Sequence, residues 1–277
     1  MSAPIEYQRP GLAGSGTIAC GLAACATAIG EVRVLARSDQ SAWRAEELIE
    51  EQCERAPGGD ASNAVVTTEI GELADCDLVI EAIVEEAEAK TQLLRALADA
   101  CEGADLATTT SSLSITDLGG SGGVADRLFG FHVFNPVPRM DLVELCLPGD
   151  LREGVPERAR SFGAALGKRV VEVPDAPGFV VNRLLFPYLF DAVRMLERTG
   201  LDPESVDASM TLGAGHPMGP LKLIDLVGVD VTVAIGRSLY EGTGEESHRP
   251  PETLERMLAD GSLGCKSGIG FYSYRDE

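Results

Sequence analysis

Residues 130–146 read GFHVFNPVPRMDLVELC and hold the pair best suited to chemistry in this chain, His132 and Glu144. The histidine lies in an apolar run with Phe131, Val133 and Phe134, which Pro136 and Pro138 interrupt. A second run follows, Leu142, Val143 and Leu145, with Glu144 as its one acid. Proline cannot continue a helix or a central strand, so the stretch is predicted to turn back on itself. The returning segment then brings Glu144 beside His132. A carboxylate on one ring nitrogen fixes the tautomer and leaves the other for proton transfer near neutral pH. On these residues alone, a core histidine next to an unrelated edge acid is the competing reading.

A second chemical signal is Gly14-Ser15-Gly16-Thr17-Ile18-Ala19, a GxGxxA run followed by Gly21. Glycines there permit a tight turn and let a pyrophosphate approach a helix N-terminus, whose unsatisfied N–H groups favour anions. Gly14, Gly16, Thr17 and Ile18 are therefore candidate cofactor-binding residues; a merely flexible turn is the alternative. The context supports the first reading. An alanine-rich helix is predicted over 18–29, Gly30 ends it, and 32–36 reads as a strand, which makes a βαβ opening. The residue closing that strand usually carries an acid for the ribose hydroxyl of NAD. Here it is Arg37, followed by Ser38, a guanidinium and a hydroxyl suited to a 2′-phosphate. NADP(H) is the sharper expectation for the NAD(P)(H) cofactor, although Asp39 would restore NAD if the register slips by two.

Other elements must position these groups. A helix over 41–53 is expected to bury Trp43, Leu48 and Ile49, and Val65–Thr68 and Leu78–Ile83 read as strands. Glu85 and Lys90 follow the second of these, with Leu93, Leu94 and Leu97 on the next helix. Residues 106–110 form another strand that runs into Ser111 and Ser112. Hydroxyls at that end of a parallel strand face the ligand crevice, or else cap a helix opened by Ser114. A late strand over 170–173 leads through Pro174 and Pro177 into a helical second half. There Leu184, Leu185, Tyr188, Leu189, Ala192, Val193 and Leu196 recur at helical spacing, and Gly200 stops the helix. The fold expected is α/β: an N-terminal Rossmann-like doubly wound sheet over 1–175, and a C-terminal all-helical domain over 176–277.

With these elements in place the chain resembles the L-3-hydroxyacyl-CoA dehydrogenases, 3-hydroxybutyryl-CoA dehydrogenases among them. HVFNPVPRMDLVE is similar to that family's HFFNPVPxMxLVE; APGFVVNRL, LGAGHPMGP and LGCKSGIGFY resemble its later motifs, in order and at family spacing. The resemblance implies hydride exchange between the cofactor and C3 of a 3-hydroxyacyl thioester. It places the catalytic pair on His132 and Glu144, substrate contacts on Ser111 and Asn182, and cofactor contacts on Glu85 and Lys90. It also implies a homodimer through the helical domain, CoA as acyl carrier, and a role in fatty acid metabolism. Three departures qualify it. Arg37 stands where the family has an acid, and Thr109 stands where it has an asparagine beside the nicotinamide. The segment after the second strand is short, with little basic beyond Arg44 and Arg55 for the CoA nucleotide. An acyl-carrier-protein-bound or free hydroxy acid is therefore an alternative substrate, and a catalytically inactive binding homologue an alternative class. His216, in AGHPMGP, reads as packing.

The whole chain has 277 residues, 44% of them hydrophobic, which suffices for one large domain or two moderate ones. Its 44 acids against 23 bases give a net charge of −21, so long-range repulsion opposes nucleic acid and anionic membrane partners. No apolar run of about eighteen residues occurs, and MSAPIEYQRP shows no leader core. The seven cysteines are scattered without a CxxC, as reduced small hydrophobes in a cytoplasmic protein would be, and the three histidines suggest no metal site.

Overall fold

The computed structural model describes residues 7–274, so the first residues of the stretch read for a leader lie outside it. The chain divides into two compact units, the first ending at Ala176 and the second beginning at Pro177. Among the described residues no helix is long and apolar enough to cross a membrane.

The first unit is built on one sheet of eight strands: β1 Pro10–Ala13, β2 Val32–Leu35, β3 Ala64–Thr67, β4 Leu78–Glu81, β5 Asp105–Thr108, β6 Leu128–Val133, β7 Leu142–Cys146 and β8 Arg169–Val173. Their spatial order is β3-β2-β1-β4-β5-β6-β7-β8. The first six are parallel, β7 runs antiparallel to β6, and β8 is parallel to β7. From β1 the chain winds outward through β2 and β3, then returns to β4 and winds the other way. The reversal puts a crevice at the C-terminal ends of β1 and β4, where ligands of such sheets bind. Strands β1, β4, β5 and β6 are buried along their whole length, as near-continuous apolar runs require. Helices α1 Thr17–Ala26, α2 Asp39–Cys53, α3 Ala87–Ala100, α4 Ile115–Gly122 and α5 Val155–Ala165 complete the unit.

Two local expectations are corrected. The helix predicted over 18–29 ends at Ala26, where Thr27 turns its hydroxyl back to the Ala24 carbonyl at 2.7 Å. Trp43 was expected in the core and is 68% exposed. At about 100° per residue Trp43 stands about 120° round the helix from Ile49, off the buried stripe of Ala45, Ile49, Gln52 and Cys53. Ser38 and Ser41 cap the helix reciprocally, so it starts at Asp39. Six cysteines are buried and Cys265 is exposed, all free. Burial pushes the Cys20 thiol up to about 11 and those of Cys76 and Cys146 up to about 12, which keeps them protonated and unreactive at neutral pH.

The second unit is helical: α6 Val181–Thr199, α7 Pro203–Ala208, α8 Pro220–Val227, α9 Val229–Thr243 and α10 Glu252–Ala259. The buried side of α6 is Phe186, Leu189, Phe190, Ala192 and Val193, while Leu184, expected inside, is 69% exposed. Gly200 ends that helix in the left-handed conformation, at φ 71°. Two buried aspartates organise the rest. Asp207 accepts from the backbone N–H groups of Leu221 (2.8 Å) and Lys222 (2.9 Å) and from the Tyr272 hydroxyl (2.8 Å). Asp225 accepts from the N–H groups of Phe271 and Tyr272 and the Tyr274 hydroxyl, at 3.0, 3.0 and 3.1 Å. The glycines of the MGP and GIGFY motifs follow from this packing. A Cβ on Gly219 would lie 2.2 Å from the Asp207 carboxyl carbon, and one on Gly270 2.1 Å from an Asp225 oxygen. His216 meets Tyr188 at 3.1 Å within this unit.

Candidate active site

In the β6–β7 ladder His132 pairs directly with Glu144. Side chains directly opposite on an antiparallel pair share one face, so the register alone brings the two groups together. The His132 Nδ1 lies 2.8 Å from Glu144 Oε2, with the histidine 5% and the glutamate 1% exposed. The Phe134 ring stands edge-on against the imidazole, with centroids 4.6 Å apart. Such a dyad can hold a proton on Nδ1, support a cationic ring and exchange a proton through Nε2.

The loop joining the two strands, residues 134–141, is held from two sides. From below, Gly21 of α1 lets Val137 sit so close that a Cβ on the glycine would be 2.9 Å from the valine side chain. Gly21 thus serves helix–loop packing. From the other side, the buried Lys168 donates its Nζ to the carbonyls of Val137 at 2.5 Å and Met140 at 2.8 Å. The next residue, Arg169, donates its N–H to the Asp141 carbonyl at 2.6 Å.

The glycine turn sits at the switch point. Gly14 has φ 145°, and a Cβ there would lie 2.2 Å from the Ala82 carbonyl oxygen just beyond β4, so only glycine fits. Gly16 is the N-cap of α1, makes no side-chain cap and has nothing within 4 Å of where a Cβ would stand. Thr17 and Ile18 supply the first N–H groups of that helix. An uncapped N-terminus with open space beside it fits a dinucleotide pyrophosphate. Arg37 is exposed just past β2. The Ser38 hydroxyl is used in capping α2, and Asp39 is already the first residue of that helix.

Beyond β4 a charged cluster orders the neighbouring strand end. Lys90 is 1% exposed, and its Nζ lies 2.8 and 3.0 Å from the two Glu81 oxygens and 3.3 Å from Glu85 Oε2. Glu81, fully buried, also accepts from the Thr108 hydroxyl at 2.6 Å and the Ile83 N–H at 2.7 Å. Glu85 Oε1 collects the Thr110 hydroxyl (2.6 Å), the Ser111 N–H (2.8 Å), the Ser112 N–H (3.0 Å) and the Ser112 hydroxyl (2.9 Å). The Ser111 hydroxyl lies 3.3 Å from the same oxygen. Burial alone would raise the Glu85 carboxyl, but the Lys90 ammonium and these donors outweigh it and hold it below the usual carboxylate range. Lys90, withdrawn from solvent, is thus held between Glu81 and Glu85.

Apart from the glycine turn and Arg37-Ser38, the candidate residues fall into three groups. His132 and Glu144 meet directly. Glu85, Lys90 and Ser111 form one network, and Thr109, whose N–H binds the Glu81 carbonyl, lies beside it. Ser111 follows β5, and β6 carries His132 two residues beyond Gly130, the partner of Thr108. Asn182 stands in the second unit, in the first turn of α6 and 8% exposed. Sequence reading passed over Glu81 and Lys168. An acid inside the run LVIEAI was the available signal for Glu81, because a buried carboxylate requires a cation, and Lys90 follows nine residues later. For Lys168 no local signal exists. Among the described residues no group of three His, Cys, Asp or Glu side chains is placed to hold a metal ion.

Comparison with known proteins decides the family. Residues 11–176 match the NAD binding domain of 3-hydroxyacyl-CoA dehydrogenase, and residues 178–274 match its C-terminal domain. The chain belongs to the 3-hydroxyacyl-CoA dehydrogenase family. A 3-hydroxybutyryl-CoA dehydrogenase of Mycobacterium tuberculosis is 38% identical over 285 aligned positions, covering 96% of this chain and 98% of that protein. The human mitochondrial hydroxyacyl-coenzyme A dehydrogenase is 41% identical over 222 residues, 79% of this chain and 68% of its own length. The crystal structure of FadB2 from M. tuberculosis superposes with a TM-score of 0.93 at 37% identity, covering 98% of this chain and 100% of the other. The doubly wound sheet followed by a helical unit is thus the architecture of this dehydrogenase family.

Proposed function

We propose that this chain interconverts 3-hydroxyacyl and 3-oxoacyl thioesters with a nicotinamide cofactor. The observation that carries the reading is the 2.8 Å His132–Glu144 pair, set in register in the domain that matches the family's NAD-binding model. The cofactor supplies the hydride chemistry when bound. Gly14, Gly16, Thr17 and Ile18 hold its pyrophosphate. His132 takes the C3 hydroxyl proton during oxidation and returns one to the C3 carbonyl oxygen during reduction, using Nε2 because Nδ1 belongs to Glu144. Glu144 fixes the ring and offsets the imidazolium charge, a positioned acid–base contribution typically worth about 10²–10⁴-fold. Ser111 contacts the reacting oxygen, Asn182 is a further substrate contact, and Glu85 with Lys90 shapes the nicotinamide side together with Thr109.

For the cofactor's far end the reading leans to NADP(H). Arg37 is exposed at the end of β2, and the nearest acid, Asp39, belongs to the following helix. For the thioester carrier CoA is the first choice, after the names of the relatives. The alternative, an acyl-carrier-protein-bound or free hydroxy acid, is favoured by one observation: between α2 and β3 the basic Arg55 is already paired with Glu51 at 2.6 Å. A homodimer through the helical unit is supported by Leu184, Leu212 and Leu226, exposed at 69%, 87% and 58%. Light scattering during gel filtration tests that assembly.

The deciding experiment is His132→Ala assayed with acetoacetyl-CoA and NADPH or NADH. Turnover should vanish while cofactor binding, followed by nicotinamide fluorescence, survives. Retained turnover refutes the assignment, and the same titration with both nucleotides reads the cofactor preference. Equal rates with acetoacetyl-CoA and its pantetheine analogue would show that the nucleotide end goes unrecognised.

A further inference from the structure

Lys168 is a buried cation, 8% exposed, and among the described residues none of its hydrogen bonds goes to a carboxylate. An ammonium withdrawn from water needs donors matched to acceptors, and here two main-chain carbonyls, those of Val137 and Met140, supply them. Its backbone is fixed as well. Gly167 ends α5 at φ 71°, and the Lys168 N–H returns to the Gly163 carbonyl at 3.0 Å, so the side chain leaves from a rigid point.

What the ammonium grips is the connection between the two strands of the dyad. Residues 134–141 carry the chain from His132 on β6 to Glu144 on β7, and they begin with Phe134, the ring that stands against the imidazole. The same segment rests through Val137 on Gly21 of α1, the helix whose N-terminus is the proposed pyrophosphate site. Val137 is thus clamped between Lys168 above and Gly21 below. The charge is close enough to α1 to pull on the buried Cys25 thiol, although burial dominates there.

We propose that Lys168 is a positioning residue for the acid–base pair: by locking the 134–141 loop it holds His132, Glu144 and Phe134 in the arrangement that proton transfer requires. The inference rests on the function proposed above, and its test therefore includes a readout that needs no turnover. A displacement of about 1 Å in a reacting pair can cost about 10²-fold in rate, so a loosened loop acts on kcat before it acts on binding.

In Lys168→Met, kcat for acetoacetyl-CoA reduction should fall about 10- to 100-fold, with cofactor affinity and KM changed less than about threefold. Lys168→Arg, which keeps the charge and the donors, should recover most of the loss. In proton NMR the far-downfield resonance of the His132 Nδ1–H, assigned by its loss in His132→Ala, should broaden or vanish in Lys168→Met and persist in Lys168→Arg. A folded Lys168→Met with native kcat and an intact resonance overturns the proposal, as does a defect confined to KM or one that arginine leaves unrepaired. If the methionine variant does not fold, Lys168→Gln is read by the same criteria, and failure of both to fold assigns Lys168 to stability alone. If the wild-type enzyme shows no turnover, the functional reading falls, and the resonance still decides whether Lys168 orders the pair.

Discussion

Replacing Glu144 by glutamine keeps the shape of a side chain that is only 1% exposed and removes one charge. The Oε2–Nδ1 distance of 2.8 Å puts the charge centres of carboxylate and imidazolium about 4 Å apart. At an effective dielectric of about 20 their attraction is about 4 kcal/mol. At 1.4 kcal/mol per factor of ten, that is about 10³ in the stability of a transition state with a cationic ring. The amide has a second effect, since its NH₂ can donate to Nδ1 and hold the ring in the wrong tautomer. The corresponding acid-to-amide change in a Ser-His-Asp triad costs about 10⁴. The expected result is a kcat lowered about 10³- to 10⁴-fold in a folded protein whose cofactor affinity is unchanged. Initial rates of NADPH or NADH consumption with saturating acetoacetyl-CoA measure it. A Glu144→Gln enzyme within about tenfold of the native kcat would show that the acid is architectural and that the dyad reading is wrong.

Gly14→Ala should destabilise the first unit by about 3 kcal/mol or more, because its methyl group would meet the Ala82 carbonyl oxygen at 2.2 Å from a backbone at φ 145°. Gly16→Ala has open space and should fold normally while weakening cofactor binding; urea unfolding and fluorescence titration separate the two. Arg37→Asp should lower the NADPH-to-NADH ratio of kcat/KM about 10- to 100-fold, the worth of a charged hydrogen bond to phosphate, and an unchanged ratio would remove Arg37 from cofactor choice. Glu85 has a lowered carboxyl in the folded chain, so its stabilising contribution is present above the unfolded value, about 4.3, and is lost as pH falls through the folded one. Glu85→Gln should therefore be less stable at pH 7 and lose less on acidification; parallel urea midpoints between about pH 7 and 3.5 would contradict the sign.

Much of the site was legible because its signals are local. The glycine turn, the helix and the strand after it are adjacent in sequence, and two prolines between apolar runs pointed to a reversal that returns Glu144 to His132, a reading that the motifs around it then favoured over an isolated core histidine. Trp43 was misplaced because bulk and hydrophobicity were given weight over helical phase: the stripe that α2 buries runs through Ala45, Ile49, Gln52 and Cys53, and Trp43 lies on the opposite side. Leu184 fails for a related reason, since apolar spacing marks a stripe wider than the one the neighbours cover. Long-range polar partnerships leave no periodic trace. Asp175 binds the N–H groups of Ile115 and Thr116 at 3.0 and 2.8 Å, capping α4 from about sixty residues away. Lys168 grips a loop some thirty residues upstream in the same way. Each is an ordinary polar residue until the fold shows what it faces.

The two aspartates of the helical unit carry an implication for how the protein is made. Asp207 and Asp225 receive donors from Phe271, Tyr272 and Tyr274, so their satisfaction waits on a segment translated long after they are. Domains emerging from the ribosome tend to fold in order, N-terminal first. The dinucleotide unit can complete itself while synthesis continues, but α7 and α8 cannot finish theirs until residues 271–274 have cleared the exit tunnel. A chain cut before Phe271 would lack all three donors described for Asp225 and one of the three described for Asp207, which leaves the helical unit as the part of the protein that completes last.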